Sequence, residues 1–221
     1  VKALVNEKTA AIIVEPVQGE GGVYVCSKEF LTGLRKLCDE KDIALILDEV
    51  QCGMGRTGTI MTYFQYDILP DILCLAKGIG AGFPMGAFVA NKKFAAAMEP
   101  GDHGSTYGGN PMAGQACRTV FKILEDTKMI DHVQDISEYL IEKLDDLQEE
   151  FPCIKERRGL GLMIGLEFDK PVKDIVKTCL DLGLIVVTAG PNVVRMLPPF
   201  ITTEKDVDQA IAILKEAIEK N

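Results

Sequence analysis

Two ionisable residues stand at the ends of apolar runs, where a charge is costly. Lys77 closes "ILCLAK" and is followed by glycine at Gly78, Gly80 and Gly82, while Asp48 closes "IALILD". A lysine held at the end of a buried strand loses hydration, and desolvation lowers its pKa toward the neutral amine that a covalent cofactor linkage requires. The alternative is a lysine whose stem lies along apolar surface and whose ammonium reaches water. The glycines let a bulky ligand approach the backbone closely. An aspartate after an uncharged run needs something positive to meet it. A protonated pyridine nitrogen would serve, because a charged ring is an electron sink for a carbanion at the substrate carbon. The alternative for Asp48 is a helix or turn cap. Val50 and Gln51 follow on the same turn, placed to pack on a ring face and to hydrogen-bond a ring hydroxyl.

Two further groups could handle anions. Arg195 lies in "VVRML", where strand alternation puts it on one face with Val193 and Leu197. An arginine there meets either a substrate carboxylate, received by two parallel hydrogen bonds, or a structural carboxylate of the protein. Ser105 and Thr106, in "HGSTYGGNP", offer hydroxyls and N–H groups just before a helix start, a setting suited to phosphate. Arg56, within "GMGRTG", reads as a brace for a turn. Nucleotide signatures fail. Three positions beyond Gly80 stands Phe83, three beyond Gly82 stands Met85, and no G-x-x-x-x-G-K-[ST] occurs. A nicotinamide-dependent oxidoreductase is thereby disfavoured.

Short apolar runs alternate with helical stretches through "AAIIVEP", Lys28 to Lys41, "IALILDE", "ILCLAKG" and "GAFVANKKF". Runs buried on both faces and separated in this way indicate an α/β sheet of mostly parallel strands. Such sheets place ligands beyond the carboxyl ends of their strands, where Glu15, Asp48 and Lys77 fall. A helix is predicted from Pro111. A second, smaller α/β unit follows, with a helix over Ile130 to Glu149, strands near "GLMIGLEF", "LGLIVVT" and "NVVRMLPP", and a closing helix from Glu204 to Lys220 capped by Thr202 or Thr203. The reading divides the chain into residues 1–127 and 128–221.

Composition excludes several classes. A net charge of -9 with no basic stripe argues against nucleic acid as a partner. The longest apolar stretches are strand-sized, far short of the roughly 20 residues that cross a bilayer, so no membrane partner is expected. Seven scattered cysteines without a C-x-x-C pair suit a reducing, cytoplasmic setting, and two distant histidines predict no metal site.

Taken together, "IIVEPVQGEGGV", "LDEVQCGMGRTG", "PDILCLAKGIGAGFPMGAF", "PGDHGSTYGGNPMA" and "VVRMLPPF" resemble the class III aminotransferases of the ornithine/acetylornithine type. The resemblance spans nearly the whole chain. It implies pyridoxal-phosphate fold type I, here an incomplete large domain with a mostly parallel sheet plus a small C-terminal α/β domain. By that resemblance Lys77 holds pyridoxal 5'-phosphate covalently and shuttles a proton, Asp48 pairs with the pyridine nitrogen, Val50 packs on the ring and Gln51 approaches its hydroxyl. Thr106 resembles the threonine that reaches across a homodimer to the partner's cofactor phosphate, with Ser105 beside it. Arg195 resembles the arginine for the substrate carboxylate, and Glu20 the glutamate that pairs with it between half-reactions.

The activity so implied moves the terminal amino group of N-acetylornithine, or ornithine, to 2-oxoglutarate in arginine biosynthesis. Members of the family carry a long portion before "AAIIVEP", with a phosphate-binding loop, a ring-stacking aromatic and a further substrate arginine. None of these is in this chain. The expectation is therefore an incomplete phosphate cup, and the alternative function is an inactive fragment that only folds and dimerises.

Overall fold

Ser27 and Asp42 show how local chemistry sets the first long helix. The Ser27 side chain accepts the N–H of Phe30, and Asp42 takes the left-handed conformation that ends the helix. Between them Leu31, Leu34, Leu37 and Cys38 recur at helical spacing and are buried. The computed structural model describes all 221 residues. In chain order the elements are β1 (Ala11–Val14), β2 (Val17–Gln18), β3 (Tyr24–Val25), α1 (Lys28–Lys41), β4 (Ala44–Asp48), β5 (Ile72–Leu75), β6 (Ala87–Ala90), α2 (Lys92–Ala95), α3 (Pro111–Asp126), α4 (Met129–Glu150), β7 (Ile154–Leu160), β8 (Met163–Phe168), α5 (Lys173–Asp181), β9 (Val187–Thr188), β10 (Val193–Met196) and α6 (Glu204–Glu219). Short 3-10 turns cover Thr62–Tyr66 and Lys77–Gly80.

The chain forms two compact units. One comprises Val1–Pro16, Cys26–Gly55 and Thr59–Thr127; the other comprises Val17–Val25, Arg56–Gly58 and Lys128–Asn221.

In the first unit the strand order is β1-β4-β5-β6. The pairs β1–β4 and β4–β5 are parallel, and β6 runs antiparallel to β5. Asp71 fastens the entry side of this sheet, accepting the N–H of Leu45 at 2.8 Å, Arg35 at 2.8 Å and the Asn91 side-chain amide at 2.6 Å. The opposite ends of β4 and β5 carry Asp48 and Lys77. α3 begins as predicted, with Asn110 accepting the N–H of Ala113 and Pro111 in the first turn.

In the second unit the sheet order is β7-β8-β10-β9, antiparallel throughout. Its core joins Val133, Ile136, Leu140 and Leu144 of α4 to Ile164, Leu166 and Phe168 of β8 and Leu214 of α6. Thr203, and not Thr202, caps α6 through a capping box with Asp206. β2 and β3 form a hairpin with Val17 opposite Val25 and Gln18 opposite Tyr24. No helix is long and apolar enough to cross a membrane.

Candidate active site

In the first unit Leu45 and Leu47 are wholly buried on one face of β4, and alternation places Asp48 on the other. Asp48 is half-buried, and its Oδ1 accepts the N–H of Val50 at 3.0 Å. This turn-capping bond engages one carboxylate oxygen, and Asp48 has no ion pair. Val50 and Gln51 are half-buried just beyond it.

Alternation also puts Glu49 on the face of Leu45 and Leu47, and here sequence reasoning missed a residue. Glu49 has no exposed surface. Its carboxylate accepts the N–H of Thr62 at 2.7 Å and of Tyr63 at 2.7 Å, capping the 3-10 turn that starts there. Burial pushes its pKa up to about 7 against the opposing pull of those two bonds. A Cβ on Gly53 would lie 2.7 Å from the Glu49 carbonyl oxygen and 3.0 Å from its Oε2, so the turn carrying Asp48, Val50 and Gln51 closes tightly on this carboxylate. The signal was available in the period-two pattern Leu45, Leu47, Glu49.

Lys77 follows β5, the parallel neighbour of β4, and Asp48 is in register with Cys74. Its backbone is left-handed, with φ 47°, and Ala81 at the end of the same turn has φ 46°. Left-handed residues other than glycine cost about 1–3 kcal/mol each and concentrate at functional sites. The Lys77 side chain is exposed and has no ion pair or hydrogen bond, so the burial expected at the strand end is not supplied by these residues. Gly78 meets a different need: a Cβ there would stand 3.0 Å from the Met54 Cβ.

Ser105 and Thr106 are exposed in the loop before α3. The Ser105 hydroxyl accepts the N–H of Gly108 at 3.1 Å, shaping the loop. Beside them lies a cavity of about 420 Å³ lined by Met85, His103, Ser105, Tyr107 and Asn110.

In the second unit Arg195 is buried in β10 and donates from one guanidinium nitrogen to the Gly19 carbonyl and to Glu20 Oε1, both at 2.7 Å. The pair is lopsided, since the Arg195 side chain is 9% exposed and that of Glu20 75%. Both are held within one unit, because the hairpin bearing Glu20 belongs to it. Arg56 is a brace, donating to the Leu162 and Pro198 carbonyls and stacking 4.5 Å from the Phe200 ring. Burial lowers its pKa to about 10.

The sequence profile described as aminotransferase class-III matches residues 1–218. The chain belongs to the class III aminotransferases. Among curated members, the acetylornithine aminotransferase of Clostridium acetobutylicum is 47% identical over 99% of this chain and 57% of its own length. Among solved structures, the N-acetylornithine aminotransferase of Stenotrophomonas maltophilia superposes with TM-score 0.86 at 37% identity, covering 96% of this chain and 56% of that one. The ornithine aminotransferase of Toxoplasma gondii, described with partial occupancy of PLP at its active site, superposes with TM-score 0.90 at 32% identity over 99% of this chain and 53% of that one. This class III chain thus spans a little over half the length of the relatives it matches.

The donor set of the first unit fits pyridoxal phosphate. A carboxylate without a cationic partner and a lysine without an anionic one stand at the carboxyl ends of adjacent parallel strands, and a hydroxyl-bearing loop precedes a helix start.

Proposed function

We propose that the complete protein carrying this sequence is a pyridoxal-phosphate-dependent transaminase that moves the terminal amino group of N-acetylornithine, or of ornithine, to 2-oxoglutarate, in arginine biosynthesis. The observation that carries this reading is the placement of Lys77 and Asp48, each without an ionic partner, beyond neighbouring parallel strands. Lys77 holds the cofactor through its Nζ and moves the proton at that atom. Asp48 supplies the negative charge opposite the ring nitrogen, Val50 covers a ring face and Gln51 meets the ring hydroxyl. Ser105 and Thr106 serve phosphate, Thr106 by reaching across a homodimer to the partner's site. When bound, the cofactor supplies an electron sink that stabilises negative charge at the substrate carbon.

Arg195 and Glu20, paired within the second unit, would let the complete enzyme take two substrates in turn. A donor reacting at its terminal amine has no carboxylate beside the reacting carbon, whereas 2-oxoglutarate has one. With the donor bound, Glu20 neutralises Arg195, and with the acceptor bound, Glu20 swings away and Arg195 receives the carboxylate. The 75% exposure of Glu20 supports such movement. A second reading, that the 221-residue chain alone folds and associates without turnover, is favoured by Ile13, Phe88 and Val89. These residues are 63%, 45% and 58% exposed on the two edge strands of the first sheet.

The test loads the complete protein with pyridoxal phosphate, reduces it with borohydride and maps the modified peptide by mass. The expected label is on Lys77. Lys77→Ala should lose both the label and amino transfer from N-acetylornithine and ornithine alike. A label elsewhere, or near-normal turnover by that variant, refutes the assignment.

A further inference from the structure

One row of the second sheet explains how Glu20 is presented. Arg158 of β7 is in register with Gly165 of β8, and Gly165 with Arg195 of β10. Directly opposed residues of antiparallel strands point to the same face, so two guanidinium groups flank a residue without a side chain. The β2–β3 hairpin fills that gap. Val23 is fully buried, and a Cβ on Gly165 would lie 2.9 Å from the Val23 Cβ.

The two arginines grip the hairpin tip at its two ends. Arg195 donates to the Gly19 carbonyl at 2.7 Å, and Arg158 Nε donates to the Gly22 carbonyl at 2.6 Å. Arg158 also lies 4.0 Å from the Tyr24 ring centroid, and its own position is set by Glu156 at 2.7 Å and by Glu167. Its Nη2 is buried, makes no hydrogen bond, and stands 3.2 Å from where a Gly22 Cβ would be. Gly22 adopts φ 113°, so the close approach and the backbone bend both require glycine there.

The grips differ in kind. Arg195 holds one backbone carbonyl and one exposed carboxylate, whereas the contact of Arg158 with the tip is to backbone. We propose that Arg158 is a positioning residue that anchors the Gly19–Gly22 tip, so that Glu20 leaves Arg195 by side-chain rotation while the Gly19 carbonyl keeps the guanidinium aimed at the substrate carboxylate. The inference rests on the Arg195–Glu20 reading above. Without the anchor, departure of Glu20 carries the tip with it, and Arg195 loses the Gly19 carbonyl together with the Glu20 carboxylate.

Arg158→Lys is the informative variant in the complete holoenzyme. An ammonium keeps a cation for Glu156 and Glu167, but it lacks the planar fork that serves the Gly22 carbonyl at the same time. Deuterium uptake of the 17–25 peptide should accelerate roughly tenfold or more, the factor a lost charge-assisted hydrogen bond gives. The Michaelis constant for 2-oxoglutarate should rise by a similar factor with kcat nearly unchanged, and should rise less in a Glu20→Ala background, where no carboxylate pulls on the tip. Gly165→Ala, which displaces Val23 and leaves Arg158 intact, should reproduce the effect.

Unchanged uptake, or equal kcat losses in both half-reactions, overturns the proposal. Should Glu20→Ala alone depress donor and acceptor half-reactions equally, the gate reading fails. The anchor then stands or falls on the uptake and 2-oxoglutarate results of Arg158→Lys.

Discussion

Glu49 offers the sharpest stability test, because its carboxylate is wholly buried and bonded to two backbone N–H groups at 2.7 Å each. Glu49→Ala leaves both donors without an acceptor. At roughly 1–3 kcal/mol for each buried orphan, the expected loss is about 2–6 kcal/mol. Titration adds a second signature. Burial raises the folded-state pKa from 4.5 to about 7, so the folded chain holds a proton that the unfolded chain has released in that interval. The contribution is complete below pH 4.5 and is lost as pH rises through 7. Its full size is about 3 kcal/mol, at about 1.4 kcal/mol per pKa unit. Glu49→Gln cannot titrate, so its stability curve should be flatter than wild type between those pH values. The assay is urea unfolding from pH 4.5 to 8, followed by tyrosine fluorescence, since the chain has no tryptophan and Tyr63 and Tyr66 sit in the capped turn. Parallel pH curves for wild type and Glu49→Gln, or a Glu49→Ala loss below about 1 kcal/mol, would show that the two bonds do not govern this turn.

Two further predictions concern backbone geometry in the second unit. Gly161→Ala places a Cβ 2.5 Å from the Thr57 carbonyl carbon at φ 56°, and it should cost roughly 2 kcal/mol or more in a thermal melt. A change under 1 °C in Tm contradicts that contact. Thr203→Ala removes the capping box of α6 and should cost about 1 kcal/mol, with Thr203→Ser recovering most of it by circular dichroism. Equal stability of the two variants refutes the cap.

The carboxyl-end placement of Asp48 and Lys77 was legible because apolar runs bounded by charge mark strand ends whatever their neighbours do. Helix boundaries were legible for the same local reason, as Ser27, Asn110 and Thr203 carry their caps within three residues. Strand direction in the second sheet was not. All four residues Val193 to Met196 are buried, and such a run reads alike in parallel and antiparallel sheets. The left-handed backbone at Lys77 was also hidden, since Gly78 next to it is the residue that propensity would choose for it. Arg158 escaped notice because its partner Gly22 lies 136 positions away, beyond the reach of any periodic pattern.

The route of the chain bears on how this architecture is inherited. It passes between the two units five times, after Pro16, Val25, Gly55, Gly58 and Thr127. No single cut therefore separates them. A break after Thr127 strands the Glu20 hairpin and Arg56 on the wrong piece, away from the strand that holds Arg195 and from the carbonyls that Arg56 binds. Recombination that exchanged the C-terminal half between relatives would mate foreign partners at the Glu20–Arg195 contact itself. Lineages of such a protein are thus expected to diverge by point substitution on both sides of that contact, and not by shuffling of a detachable module.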